Sequence, residues 1–400
     1  MSRAPLAPAR RSSSARLAVT GLVGFAALGM LASVLGPTLP LLQERHRLDA
    51  FGSSLLFAAY AAGSAAGVVG AGWLRTRVAP SSLLTGGAAL LALGCLALPV
   101  APTGSLALAG VLVAGIGFGL VDLPLNTVLA RSFGEGSGAV LMALSAAFGV
   151  SAVLLPFLVG RRPDDLHAPY LVCGATALVL TALTATLRLP HPGATGPAGR
   201  RHGHRGAVLL LAAVLLGYVA VESGVAGWET THLRATTSLS ESGSASAVSL
   251  FWIGLILGRL GAAPVLLRQP PGRLVITCLV AGAASAAAAA HAPSAVVAYA
   301  VTGLLIGPVF PAVIAWHASL VPDGRGITGV FAAGLAGPLV GGPLIGLAVG
   351  ATSEHAVPWV LAAMALAAAG VAVAVAVTVA ARGVAPSTAR ARASGHAAGA

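Results

Sequence analysis

Apolar runs long enough to cross a lipid bilayer recur along the whole chain, separated by short polar or turn-rich segments. A bilayer core requires about 20 predominantly apolar residues in helical form. By that measure the pattern predicts about twelve spans, at 17–42, 51–73, 81–101, 105–131, 137–160, 169–189, 207–232, 245–267, 273–291, 294–320, 326–350 and 356–381. The first run follows a basic N-terminus in the manner of a signal peptide. It is too long for one, and further spans follow, so it reads as an uncleaved helix. Between the sixth and seventh spans lies HPGATGPAGRRHGHRG, rich in Gly, Pro and Arg and without apolar period, which reads as a linker. The expected organisation is a tail 1–16, a six-helix bundle 17–190, a linker 191–205, a second six-helix bundle 206–382 and a tail 383–400. The fold class is therefore an all-α membrane protein with twelve transmembrane helices in two pseudo-symmetric bundles.

Composition strengthens this reading. The chain is 57% hydrophobic and 8% charged, with mean hydropathy +0.91, too few charges to cover a soluble protein of this length. Its 52 Gly and many Ala suit the close approach of helices in lipid. The net charge of +12 is carried entirely by Arg, with no Lys. These Arg residues gather in alternate loops, so they report topology rather than nucleic-acid binding. With the N-terminus inside, the inner segments hold 18 Arg and the outer loops 5, which puts both termini and the linker in the cytoplasm. Cys95, Cys173 and Cys278 all lie inside spans and read as packing residues. Without Lys there is no Walker-type nucleotide loop. No cofactor or metal is expected, and the chain is expected to act as a monomer. The Arg and Ala bias suggests a GC-rich bacterial genome and an inner membrane.

Against this background, a few polar side chains inside the spans carry the chemistry. Asp122 lies mid-span in LALAGVLVAGIGFGLVDLPLNTVLA, and Asn126, the only Asn in the chain, lies four residues on, on the same helix face. An ionised Asp near the bilayer centre costs at least ~2.5 kcal/mol. Glu222 lies equally deep in the seventh span. Asp122 and Glu222 are the candidate ion-coupling residues, since burial favours a protonated carboxyl that can exchange its proton near neutral pH. The competing reading is a protonated carboxyl that only hydrogen-bonds a neighbouring helix. Glu229, near the end of the same span, is expected to be a solvated mouth residue. Asn126 holds a substrate hydroxyl or orients Asp122 in the functional reading, and makes only an interhelical hydrogen bond in the competing one. Trp228, Trp252, Trp316 and His317 complete the candidate substrate-binding set. Against them stand an interfacial belt for the indoles, Trp228 above all, and a packed or backbone-bonded His317. Arg259 is either a gating residue or a snorkelling one. His202 and His204 in the linker read as solvated.

The two halves look like weak repeats. The fourth span carries Gly115-Ile-Gly-Phe-Gly and the tenth Gly303-Leu-Leu-Ile-Gly; the fifth ends LLPFLVG and the eleventh LIGLAVG. Two six-helix halves joined by a cytoplasmic linker suit a rocking-bundle transporter. Residues 115–160, 218–260 and 303–313 sharpen this: the chain resembles a major facilitator superfamily transporter, in its fucose-permease and sodium-dependent glucose-transporter branch. In that branch a Gly-rich fourth helix ends in an acid and an Asn, the seventh carries an inward Glu, and the eighth carries Phe-Trp and Gly-Arg. Asp122, Asn126, Glu222 and Trp252 match. The resemblance implies ion-coupled solute transport by alternating access.

The chain also departs from the pattern. Thr76 stands where the superfamily loop has an acid and Ala79 where it has a second Gly. Val111 stands where many proton-coupled members carry Arg, and the first span has no acid. Gly337-Pro-Leu-Val-Gly-Gly reads as a bending, close-packing element. The expected function is secondary transport of a small organic solute, sugar-like in the favoured reading, coupled to a proton or sodium gradient. Proton-coupled export of hydrophobic drugs or metabolites is the alternative, and a non-transporting sensor the third reading.

Overall fold

The structure, a computed structural model, describes residues 8–75, 77–132, 137–187, 205–321 and 326–381. The linker with His202 and His204, residues 1–7, the C-terminal tail and Thr76 lie outside the described residues. The first six helices are α1 (Pro8–His46), α2 (Ala50–Leu74), α3 (Pro80–Ala97), α4 (Gly104–Ser132), α5 (Ser137–Arg161) and α6 (His167–Ala185). There follow α7 (Arg205–Thr236), α8 (Glu241–Leu266), α9 (Pro271–Ala288), α10 (Ala295–Ile306), α11 (Val309–Leu320), α12 (Ile327–Leu335), α13 (Gly337–Ala351) and α14 (Val357–Ala381). No strand occurs among the described residues.

Eleven segments among the described residues are long and apolar enough to cross a membrane, and α5 adds the shorter apolar stretch Ala146–Arg161. The elements correspond to the expected spans with two differences. The tenth span is broken into α10 and α11, and the eleventh into α12 and α13. The first break falls at Gly307-Pro308. Pro308 has no N–H to continue the helical ladder, and its ring crowds the preceding turn. At the second break, Ala336 caps α12 and Pro338 opens α13, a position where a missing N–H costs nothing. Local starts are equally legible: Asp49 caps α2 by accepting the Gly52 N–H at 2.7 Å, and α3 and α9 begin on prolines.

The described chain forms two compact units. One holds α1–α6 together with residues 229–249, the end of α7 and the start of α8. The other holds α7 up to Trp228 and everything from Leu250 onward. Glycines bring helices into backbone contact in both units. In the first unit α2 and α4 interlock. A β-carbon on Gly63 or Gly67 would strike the carbonyl oxygens of Leu112 and Ile116, and one on Gly115 or Gly119 those of Tyr60 and Ser64. Gly117, between the last two, faces α3 instead, against Leu91 and Gly87. In the second unit α8 and α10 repeat the construction. Gly254 and Gly258 meet the carbonyls of Ala300 and Leu304, and Gly303 and Gly307 meet those of Phe251 and Leu255. Small residues four apart align on one face, which lets membrane helices close to van der Waals distance. The predicted bending element behaves as expected, with Gly337 and Gly341 seated against α7 at Ala220.

This packing predicts a sharp difference between two glycines of one helix. Gly67→Ala drives a methyl into the α4 backbone and should destabilise the chain by ~1–3 kcal/mol. Gly70→Ala, whose β-carbon would meet nothing within 4 Å, should be neutral or gain up to ~1 kcal/mol of helix propensity. Thermal unfolding of the detergent-solubilised variants measures both, and equal midpoints would overturn the interlock.

Candidate functional site

In each unit a polar constellation stands beside the glycine contacts described above. In the first unit, α4 continues past Gly119 into Asp122, Pro124 and Asn126. The Asn126 side-chain amide donates to the Asp122 carboxylate at 3.0 Å and to the Asp122 carbonyl at 2.9 Å. The four-residue spacing brings them together along one helix face. Pro124, between them, removes one backbone N–H from the ladder. Both side chains are partly exposed. Tyr60 on α2 lies within electrostatic reach of the Asp122 carboxylate, and its ring meets Phe118 edge-on at 5.6 Å. Asp122 takes part in none of the ion pairs among the described residues. Its side-chain partner there is the neutral Asn126 amide.

In the second unit, Glu222 of α7 faces Arg259 of α8. One terminal guanidinium nitrogen donates to both carboxylate oxygens, at 3.0 and 3.2 Å, and to the Tyr218 hydroxyl at 3.0 Å. The guanidinium also lies 5.7 Å from the Phe310 ring centroid, within cation–π range. Phe310 in turn packs against Tyr218 and Phe331, with centroids 6.5 and 5.7 Å apart. The Glu222 side chain is 14% exposed and that of Arg259 35%. Arg259 therefore does not snorkel away along the helix axis; it turns to α7 and neutralises the acid there. The close seating of Gly341 at Ala220 brings α13 against α7 midway between Tyr218 and Glu222.

The other candidate aromatics and His317 are packed into the interior. Trp228 is fully buried, so the interfacial-belt reading is corrected; the widely exposed indoles are Trp73 and Trp359. Trp252 is buried against Phe251 at 5.6 Å in an edge-on contact. Trp316 is buried with its ring over Gly272, where a β-carbon would come within 2.7 Å of the indole. His317 beside it is buried as well. Glu229 needs the largest correction. It is 0% exposed, and neither carboxylate oxygen has a hydrogen-bond partner among the described residues. Helix position put it near an end, but the end is covered. Sequence reasoning missed Tyr60, Tyr218 and Phe310. Each is an aromatic in an apolar run, and only tertiary contact sets it apart. Pro124 was visible in the sequence, at two residues from either polar neighbour.

Comparison with known proteins agrees with the fold. Residues 21–231 match the family described as Major Facilitator Superfamily. The chain is 23% identical over 277 residues to an uncharacterized MFS-type transporter, YfkL, of Bacillus subtilis (strain 168), covering 64% of this chain and 68% of that one. Among solved structures, the nucleoside transporter NupG aligns with TM-score 0.71 at 14% identity, covering 90% of this chain and 98% of its own. A D-xylose–proton symporter aligns with TM-score 0.71 at 14% identity, covering 90% and 97%. The POT family transporter PepTSo aligns with TM-score 0.72 at 11% identity, covering 94% and 99%.

The Glu222–Arg259 pair is testable by a double-mutant cycle. Loss of one partner of a sealed ion pair costs ~3–5 kcal/mol. Arg259 is a third open to solvent, so Arg259→Ala should cost roughly 1–2 kcal/mol. Adding Glu222→Gln should recover most of that loss in thermal unfolding. Strictly additive losses would show that the two side chains do not interact.

Proposed function

Because the chain belongs to the Major Facilitator Superfamily, a multi-pass membrane family of transporters rather than enzymes, we propose that it is a secondary active transporter. Its solute is a small organic molecule, sugar-like in the favoured reading, and its driving force is a proton or sodium gradient. Asp122 is the coupling acid. One observation carries this assignment: of the two deep carboxylates singled out in the sequence, Glu222 is paired with Arg259, whereas Asp122 has, among the described residues, the neutral Asn126 amide as its bonded partner. A carboxyl held by an amide can take up and release a proton, without breaking a charge pair, as its surroundings alternate between wet and dry.

Glu222 and Arg259 then serve as a charge-balanced gating pair. Asn126 orients Asp122 and offers its remaining hydrogen-bonding capacity to a solute hydroxyl. Trp228, Trp252, Trp316 and His317 support the walls by packing. A sugar-like solute suits the resemblance of residues 115–160 and 218–260 to sugar-transporting relatives.

A solute panel in proteoliposomes, with proton and sodium gradients imposed separately, tests the reading. Saturable uptake of a polar solute driven by one of these gradients is the expected result. Gradient-driven extrusion of hydrophobic dyes, without polar solute uptake, would favour the exporter alternative. Asp122→Asn should abolish gradient-driven accumulation, a loss of at least about a hundredfold, while leaving solute exchange. Full accumulation by that variant would remove Asp122 from the coupling role.

A further inference from the structure

Two of the chain's three cysteines, 78 positions apart in the sequence, meet inside the first unit. Cys95 of α3 and Cys173 of α6 are hydrogen-bonded to each other through their side chains, and both are buried. The third, Cys278, belongs to the second unit. The thiol contact is in register with the rest of the α3–α6 seam. At the adjacent positions, a β-carbon on Gly174 would come within 2.6 Å of the Leu96 side chain. Ten residues back along α3 and eleven on along α6, the Thr85 hydroxyl donates to that of Thr184 at 3.0 Å. The two helices therefore run antiparallel and side by side over about 15 Å, at 1.5 Å of rise per residue.

Of the two thiols, Cys95 is the one on the wall of a small cavity inside this unit, which Tyr60, Val111 and Tyr170 also line. The Tyr170 and Thr38 hydroxyls are hydrogen-bonded at 3.0 Å, and both tyrosines lie within electrostatic reach of Cys95. Cys95 stands two residues before the end of α3, and Cys173 six residues after the start of α6. The Arg distribution turns that end of the helices outward, towards the compartment in which disulfides form and persist.

We propose that Cys95 and Cys173 are a redox pair, which a hydroperoxide oxidises to a reversible disulfide that staples α3 to α6. The first step falls to Cys95, because it faces the cavity. Its sulfur attacks the O–O bond. One oxygen stays on sulfur as a sulfenic acid, and the other leaves with the thiol proton as water, or as an alcohol from an organic peroxide. The Cys173 sulfur then attacks the sulfenic sulfur. The S–S bond forms, the S–O bond breaks, and the hydroxyl departs with the Cys173 proton as water. The two sulfurs give up two electrons, and the peroxide takes both. Burial slows the first step, since the thiolate is the nucleophile, while contact between the sulfurs speeds the second. Thiols and disulfide are all neutral, so the bundle interior holds no added charge in either state. Tyr60 lies within electrostatic reach of both Cys95 and Asp122, which sets the staple beside the proposed coupling acid. The redox chemistry itself goes beyond the transporter reading and does not rest on it.

The full chain in lipid nanodiscs, reduced and freed of reductant, is exposed to hydrogen peroxide, then denatured, labelled with a maleimide and weighed by mass spectrometry. Before exposure all three cysteines should label. After it, labelling should fall from three to one, with Cys278 still reactive and the unlabelled chain lighter by two hydrogen atoms. Peptide mapping should join the segment around Cys95 to that around Cys173. Dithiothreitol should restore all three labels, as it does for a disulfide and not for a sulfinic acid. Cys95→Ser should leave Cys173 reactive. Cys173→Ser should instead halt at a sulfenic acid on Cys95, one oxygen heavier and trapped by dimedone. Three labels after exposure overturn the proposal. So does a loss that dithiothreitol fails to reverse, or a loss of Cys173 that persists in Cys95→Ser. A chain that forms the disulfide but moves no solute keeps this site and loses the transporter reading instead.

Discussion

Backbone contact through paired glycines is the constraint from which the rest of the architecture follows. Lipid tails are as apolar as the side chains they touch, so helices in a membrane gain little from hiding apolar surface against each other. They must gain it from close packing. The α2–α4 and α8–α10 pairs do so reciprocally, because the glycines of each helix meet carbonyls of the other. A side chain on either partner would hold both apart. Asp122 lies three residues beyond Gly119, and Arg259 directly follows Gly258. The contact that fixes the helices therefore also fixes where the ionisable groups stand.

Three buried or half-buried acids then meet three different fates. Glu222 is matched by a guanidinium and a tyrosine hydroxyl. Asp122 is matched by an amide of its own helix. Glu229 is matched by nothing among the described residues. Burial treats the ionised forms very differently in these settings, since desolvation is offset by a counter-charge in the first, by one neutral dipole in the second, and not at all in the third.

How much of this was legible in the sequence depended on how local the information was. The spans were, because hydropathy is summed over residues adjacent in the chain. So was the Asp122–Asn126 contact, because a four-residue spacing on a helix is a distance. Glu222 and Arg259 are 37 positions apart on different helices, and no pattern in either helix announces the other. Glu229 and Trp228 were misjudged for one reason: position along a helix gives the distance to its end, but not what covers that end. The break at Gly307-Pro308 was written in the residues, yet a hydropathy window averages across it.

The repeated scaffold exposes a difference between the halves that helix counting hides. Three residues beyond Gly307, where the first unit's numbering from Gly119 reaches Asp122, the second unit has Phe310. Three residues before Gly254, in the place that Tyr60 holds before Gly63, it has Phe251. The second unit has replaced the acid and the hydroxyl with rings and uses one of those rings, Phe310, as a partner for the Arg259 cation. Its deep acid among the described residues, Glu222, is paired where it stands. A cancelled pair moves no net charge when the helices move, whereas an acid that binds a proton on one side and loses it on the other does. A membrane potential acts on net charge alone, at ~2.3 kcal/mol per elementary charge per 100 mV. Under the coupling role proposed for Asp122, the pseudo-symmetric halves divide the work unequally: the second unit holds a balanced pair, and the first holds the acid whose charge changes.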